Sequence, residues 1–237
     1  MTGVQTCALP IFLFIGCGSD DTATGGDENN VPDSTGTMTD IDGNTYNTVK
    51  IGNQWWMAEN LAVAHFRNGD PLTQIISPST WADLPNSRTD AYCSYANSSS
   101  NAETYGFLYC WYAVDDDRLL APEGWHIPTW AEWTELNNYL GGENIAGRKM
   151  KETGTSHWDS PNASATNSSG FTALPGGRRG ENGEYWGIGW RANFWASTKN
   201  NVDPATAYCM ALYYASDEAG IGTYVWWEGF SVRCIKD

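Results

Sequence analysis

The sequence predicts an α+β fold of short mixed strands, one or two helices and long loops, and three observations carry that prediction. Apolar and β-branched residues come in short alternating runs, of which Thr45–Ile51 is the clearest. One stretch, 129–140, carries a full helix signature. The 25 glycines and the Gly/Ser/Asn-rich segments, above all 152–191, separate these pieces by long loops. At 237 residues, with 41% hydrophobic and 14% aromatic content, the chain holds one medium-sized unit with a tail. That composition excludes global disorder and collagen-like, coiled-coil or multi-span membrane chains.

The amino end reads as an address. Residues 9–16 are apolar and lead into Phe14-Ile15-Gly16-Cys17, which resembles a bacterial lipobox. The run is too short to span a bilayer. The expectation is a signal segment over 1–16 and lipidation at Cys17, which would anchor the chain to the outer membrane. A flexible tether is expected over 17–39, because 18–39 holds almost no apolar residue to offset the entropy of ordering. The acids after Cys17 resemble the export signal of bacterial surface lipoproteins, so the folded part is expected outside the cell. Residues 1–12 contain no Lys or Arg, and residues 1–11 resemble a translated sequencing-adapter artefact, so the natural start is expected to differ.

The folded unit is expected over 40–237. Asp40-Ile41-Asp42-Gly43-Asn44 is a turn cluster, Thr45–Ile51 alternates as a strand, and Gly52-Asn53-Gln54 turns the chain into Trp55-Trp56-Met57, the return strand of a hairpin. The Asp-x-Asp-Gly start is also half of a calcium loop, but the closing Glu of an EF-hand falls at Ile51. Thr129-Trp130-Ala131-Glu132 is a capping box, Trp133, Leu136 and Leu140 then share one face, and Gly141-Gly142 ends the helix. A weaker helix is predicted over 144–152. Further strands are predicted over 107–112, 193–197, 207–214 and 231–235, all rich in aromatic or β-branched residues.

The formal charge is −15, and outside the first seven acids 21 acids face 13 bases. Such a surface repels phosphate backbones, so nucleic acid is not an expected partner. The clusters Arg148-Lys149-Met150-Lys151 and Arg178-Arg179 read as solvated faces. With Cys7 and Cys17 set aside, Cys93, Cys110, Cys209 and Cys234 form an even set in an exported chain. Two disulfides are expected, with all three connectivities open; four buried thiols are the alternative. No pair has C-x-x-C spacing, which disfavours zinc.

Several segments in order resemble one family: Asp40-Ile41-Asp42-Gly43-Asn44-Thr45-Tyr46, Thr48-Val49-Lys50-Ile51-Gly52, Trp56-Met57-Ala58-Glu59-Asn60-Leu61, Gly124-Trp125-His126-Ile127-Pro128-Thr129, Gly170-Phe171, Pro175-Gly176-Gly177-Arg178 and Ser231-Val232-Arg233-Cys234-Ile235-Lys236-Asp237. Together they resemble the Fibrobacter succinogenes major paralogous domain over about 40–237. The resemblance implies an extracytoplasmic protein, often a lipoprotein, of unestablished biochemical role. Cys110 stands where that pattern commonly has Asn, which hints at a bridge atypical of the family. Pro128-Thr129-Trp130-Ala131-Glu132-Trp133 and Val232-Arg233 are also similar to stretches of formylglycine-generating enzymes. That similarity implies a C-type-lectin-like fold. It does not carry over their catalysis, because the closely spaced copper-binding cysteines have no counterpart here.

The chain has no G-x-S-x-G, H-E-x-x-H, P-loop or dinucleotide fingerprint. His65, His126 and His157 are scattered, and His126 is expected to be packed and hydrogen-bonded rather than a ligand. Asp115-Asp116-Asp117 reads as a solvated turn rather than a calcium site, and Glu123, Glu132 and Glu135 supply no distinctive glycosidase pair. No catalytic residue, metal or cofactor is assigned.

Aromatic residues remain. Trp125, Trp133 and Trp195 are expected in the core. Trp186, Trp190, Trp226 and Trp227, beside glycines or acids and near Arg191, lie where a C-type-lectin-like fold implies its binding loops. Indole faces cover the apolar side of a sugar ring. The expected function is therefore a non-catalytic binding or adhesion module, with a glycan or a surface protein as partner. The alternative is a carbohydrate- or protein-modifying enzyme using a loop-borne acid such as Glu123 or Asp117.

Overall fold

A computed structural model describes residues 34–237 of the chain. The signal segment, Cys17 and the tether up to residue 33 lie outside the described residues. In chain order the strands are β1 Ser34–Thr39, β2 Thr45–Ile51, β3 Gln54–Met57, β4 Thr73–Gln74, β5 Ala91–Cys93, β6 Leu108–Tyr109, β7 Trp125–His126, β8 Gly176–Arg179, β9 Tyr185–Ile188, β10 Arg191–Lys199, β11 Thr206–Tyr213, β12 Ala219–Val225 and β13 Ile235–Lys236. The helices are α1 Pro78–Ala82, α2 Leu84–Ser87, α3 Ser99–Tyr105, α4 Trp111–Val114, α5 Trp130–Tyr139 and α6 Glu143–Met150. The fold is mixed α+β: a sheet in the order β1-β2-β3-β13-β7, a second in the order β12-β11-β10-β8-β9, and a small third, β4-β5-β6.

Local chemistry explains the best-formed elements. Asp40 organises the first turn by accepting from the amides of Asp42 and Asn44, both at 2.9 Å, and from the Tyr46 hydroxyl at 2.6 Å. Its carboxylate is therefore occupied by the turn rather than open to a cation. The α5 capping box is complete: Thr129 Oγ1 accepts from the Glu132 amide, and Glu132 Oε2 accepts from the Thr129 amide at 2.7 Å. Glu132 Oε1 also meets His126 Nε2 at 2.8 Å, while His126 Nδ1 meets Asp237 Oδ1 at 2.7 Å. Burial draws this imidazole down, but the two carboxylates more than offset that and raise it. The ring thus ties the carboxyl-terminal residue to the start of α5.

Two buried clusters hold the layers. One gathers Trp81, Tyr109, Trp111, Trp195 and Phe230 beneath β5, β6 and α4. The other sets α5 and α6 against the second sheet through Trp56, Trp133, Phe171, Phe194 and Met210, with Trp56 and Trp133 centroids 4.6 Å apart. Trp125, Trp133 and Trp195 are all core residues, at most 8% exposed.

Several expectations need correction. Residues 34–39 are not tether: β1 pairs with β2 from Ser34↔Lys50 to Thr39↔Thr45, and Met38 is buried. The single apolar side chain of that strand suffices because alternate threonines suit a half-buried strand. The expected disulfides do not form. Cys93, Cys110, Cys209 and Cys234 are free, buried thiols in separate settings. Cys110 accepts from the Ala91 amide and donates to the Thr89 carbonyl, Cys209 lies against Asn193, and the Cys234 amide donates to Met57 Sδ. A bridge requires two Cβ atoms aimed at one another, which an even count does not supply. Burial pushes the thiols of Cys110 and Cys209 up to about 11 and about 12, which keeps them protonated and inert.

The basic clusters are not simply solvated either. Lys151 is fully buried, and its ammonium donates to the carbonyls of Ala163, Tyr213 and Ser216 at 3.0, 3.1 and 2.8 Å. Arg179 is likewise buried and donates to Gly183, Ile75 and Ile76 carbonyls. Both cations clamp long loops whose backbone acceptors have no ladder of their own. The predicted strand over 107–112 is cut short at Tyr109, and α4 follows. That over 231–235 survives only as β13 and an isolated bridge from Ser231 to Phe194. Among the described residues no helix is long and apolar enough to cross a membrane.

Candidate functional site

The register of the second sheet sorts its side chains. Arg191 pairs with Tyr213 and Trp195 with Cys209, Tyr224 pairs with Ala207, and Arg178 pairs with Trp186. Directly opposed residues project to the same side, so Arg178, Trp186, Arg191, Asn193, Trp195, Cys209, Tyr213 and Tyr224 share one face. The helices α5 and α6 cover the other face. The first cluster takes the part of the shared face around Trp195, Cys209 and Tyr224, where Phe230 packs against Trp195 and Tyr224 with centroids 4.4 and 5.0 Å away. Around Arg178, Trp186 and Arg191 the face is open: the Trp186 side chain is 51% exposed and Trp190, in the β9–β10 connection, is 38% exposed.

Glycine makes room for this arrangement at one decisive point. Gly187 has φ +83°, and a Cβ there would stand 2.4 Å from Cγ and Cδ of Arg191. The stem of Arg191 therefore lies directly against the β9 backbone. Its head is held by neutral acceptors: Nε donates to Asn193 Oδ1 at 2.6 Å, and Nη2 donates to the hydroxyls of Tyr213 and Tyr224 at 3.3 and 3.4 Å. The guanidinium carbon lies 5.7 Å from the centroid of Trp190 and 5.3 Å from that of Tyr213. Among the described residues no carboxylate forms an ion pair with Arg191.

Beside it, Glu228 is 6% exposed and accepts from Arg178 Nη1 at 2.9 Å through Oε1. Its second oxygen, Oε2, has no hydrogen-bond partner among the described residues, and neither does Arg178 Nε. Burial pushes the Glu228 carboxyl up to about 7; Glu181 adds to this, while Arg178 and Arg191 oppose it. A buried acid that titrates near neutrality with a free oxygen, next to two arginines and two exposed indoles, is the most distinctive chemistry the described residues hold.

The four indoles singled out by sequence differ in exposure. Trp186 and Trp190 lie on the open face with Arg191. Trp226 and Trp227 are half-buried against the first cluster: Trp226 packs on Trp111 and Tyr112 with centroids 4.9 and 5.8 Å away, and the Trp227 carbonyl accepts from Trp81 Nε1 at 2.8 Å. Sequence reading included Tyr224 among the aromatic residues of the expected binding face but missed Arg178, Tyr213 and Glu228. Strand alternation was the available signal for Arg178, since it sends Arg178 and Arg179 to opposite faces. No local pattern marks Glu228, which meets Arg178 across 50 positions of the chain.

Other candidates are already occupied. Asp116 binds Arg118 and Asp115 binds Lys199 at 2.8 Å, whereas Asp117 and Glu123 are exposed. Among the described residues no group of three His, Cys, Asp or Glu side chains is placed to hold a metal ion. A cleft of about 360 Å³ is bordered by Glu59, Glu103 and Glu152, but Glu59 accepts from the Asn47 amide and Glu152 pairs with His157.

No curated protein and no solved structure matches the chain. The model of one family, described as the Fibrobacter succinogenes major domain, matches residues 49–236. That span takes in both large sheets' central strands, the two helices α5 and α6 and the open face, and the chain belongs to this family.

Proposed function

We propose that the chain is an exported lipoprotein, anchored to the outer membrane through Cys17 and exposed at the cell surface, whose folded unit is a non-catalytic binding module of C-type-lectin-like architecture. Its ligand is a glycan, held on the open face by Trp186, Trp190 and Arg191. One observation carries this reading: two exposed indoles flank a buried, hydrogen-bonded polar network on the side of the sheet opposite α5 and α6. Indoles at that exposure supply apolar platforms for a sugar ring, and the network beneath supplies fixed polar partners for its hydroxyls. The C-type-lectin-like reading of the fold rests on the Pro128 to Trp133 stretch, which leads directly into the capped helix α5. Screening the full chain and its Trp186→Ala and Trp190→Ala variants on a glycan array tests the function. A hit weakened about tenfold or more by either change supports it, and binding unchanged in both removes the site.

A second reading, a carbohydrate-modifying enzyme, is favoured by the Glu228 carboxyl, which titrates at about 7, where a general acid or base works best. It shifts the role of loop-borne acid from Asp117 or Glu123 to Glu228. Release of reducing sugar from a bound glycan, abolished by Glu228→Gln with binding retained, would favour this reading over the first.

A further inference from the structure

We infer that the open face selects an acidic glycan, one whose ring carries a carboxylate, with Arg191 as the group that recognises it. The inference rests on the glycan-binding reading above and deepens it. Arg191 is 6% exposed, yet every acceptor it has is neutral, namely Asn193 Oδ1 and the hydroxyls of Tyr213 and Tyr224. Its Nη1 group makes no hydrogen bond among the described residues. Lys151 and Arg179 have their donors taken up by carbonyls, whereas Arg191 keeps Nη1 without a hydrogen bond and forms no ion pair among the described residues, and the nearby Glu228 carboxylate is bound to Arg178. A guanidinium with a donor to spare suits an anion brought by the ligand, and its planar fork matches a carboxylate.

The neighbouring groups complete the match. Glu228 Oε2 and Arg178 Nε are an acceptor and a donor without partners, and Glu228 is more than nine-tenths buried. Both atoms are closed off from solvent, so vicinal sugar hydroxyls, which donate and accept, would satisfy the pair only where binding moves a covering side chain aside. Trp186 and Trp190 then cover the ring's apolar side. Selectivity against other anions follows from the charge of −15 carried by the chain. Highly charged polymers are repelled over roughly a Debye length of 10 Å, whereas one carboxylate in contact with Arg191 feels mainly that residue. Exposed Glu181 and Glu184 sharpen this discrimination at the rim.

Titration calorimetry on the full chain provides the test, with three probes: a short galactoside ending in a single galacturonic acid, its methyl ester and the corresponding neutral galactoside. The acid is expected to bind about tenfold or more tightly than the ester. Arg191→Gln should erase the preference, while Trp190→Ala should weaken acid and ester alike. Because Arg191 is buried, the comparison of the three probes on the unaltered chain decides the matter even where the variant fails to fold. Ester and neutral sugar binding as tightly as the acid would overturn the carboxylate inference and leave the glycan reading standing. The carboxylate inference also falls, and the glycan reading survives, if none of the three binds while the array finds a neutral sugar lost in Trp190→Ala. An array without any hit would overturn both.

Discussion

On the helix-backed face of the second sheet, Ala192, Phe194, Ala196, Met210 and Leu212 are at most 1% exposed, and they pack in one apolar cluster with α5, α6, the loop around Phe171 and residues of the first sheet, with the Arg233 guanidinium 5.4 Å from the Phe194 ring. On the opposite face, away from Trp195, Arg178 and Arg191 stand among tyrosines, with Glu228 buried beside them and Trp186 half in solvent. The same strands build both. The closed face devotes its area to burial, the main favourable term in folding. Both faces leave buried polar atoms without partners, Trp133 Nε1 and Asn137 Oδ1 behind the closed face and Arg178 Nε and Glu228 Oε2 on the other, each costing about 1–3 kcal/mol; the open face differs in adding indoles that stand in solvent. The dense apolar packing and the exposed indoles thus lie on opposite sides of one five-stranded sheet.

Four substitutions test that segregation. Phe194→Ala, on the closed face, should cost about 3–5 kcal/mol, because its ring packs on Trp133 and Phe171 with centroids 5.9 and 5.8 Å away. Urea unfolding measures this, and a loss under about 1 kcal/mol would mean that the closed face is not the anchor.

Glu228→Gln, on the open face, should do the opposite and stabilise. The carboxyl titrates at about 7 in the folded chain, above its ordinary value of 4.5, so ionisation is disfavoured by folding. The penalty is absent below the ordinary carboxylate range, grows as pH rises and is complete above about 7. The variant is therefore expected to gain about 1–3 kcal/mol at high pH and nothing near pH 4. Parallel pH profiles for the two proteins would instead show that Glu228 is fully compensated.

Thr129→Ala removes the hydroxyl that caps α5 and should cost about 1 kcal/mol. Thermal unfolding would register this as a shift of a few degrees, with ligand binding untouched, since α5 supports only the closed face. The smallest effect is expected for Trp186→Ala: its indole is 51% exposed, so stability should move by no more than about 0.5 kcal/mol while glycan binding falls. A large destabilisation there would assign Trp186 to packing and blur the contrast between the faces.

Much of the fold was legible because its signals are local. β2 matches the alternating run at Thr45–Ile51, α5 follows its capping box, and β10 and β11 lie within two residues of the aromatic runs predicted for them. β12 was invisible because Gly220 and Gly222 depress strand propensity. It forms through seven register pairs with β11, from Thr206↔Val225 to Leu212↔Ala219. The helices α1 to α4 have four to seven residues each, too few turns for a hydrophobic period to emerge. The candidate site was legible in part. Tryptophans beside glycine pointed to Trp186 and Trp190, but the same cue also picked Trp226 and Trp227, whose neighbours in space are Trp111, Tyr112 and Trp81.

What the amino-acid order determined by itself is the class of fold, the capped helix, the central strands, the tryptophan-rich core and the family, since each depends on residues close in the chain or on motifs in sequence. Only the tertiary structure decided which indoles face solvent, that four cysteines stay apart, that Lys151 and Arg179 are interior clamps, and that Glu228 meets Arg178 beside Arg191. These depend on side chains far apart in the chain being brought to one place, where desolvation and the presence or absence of a partner set each group's charge, reactivity and use.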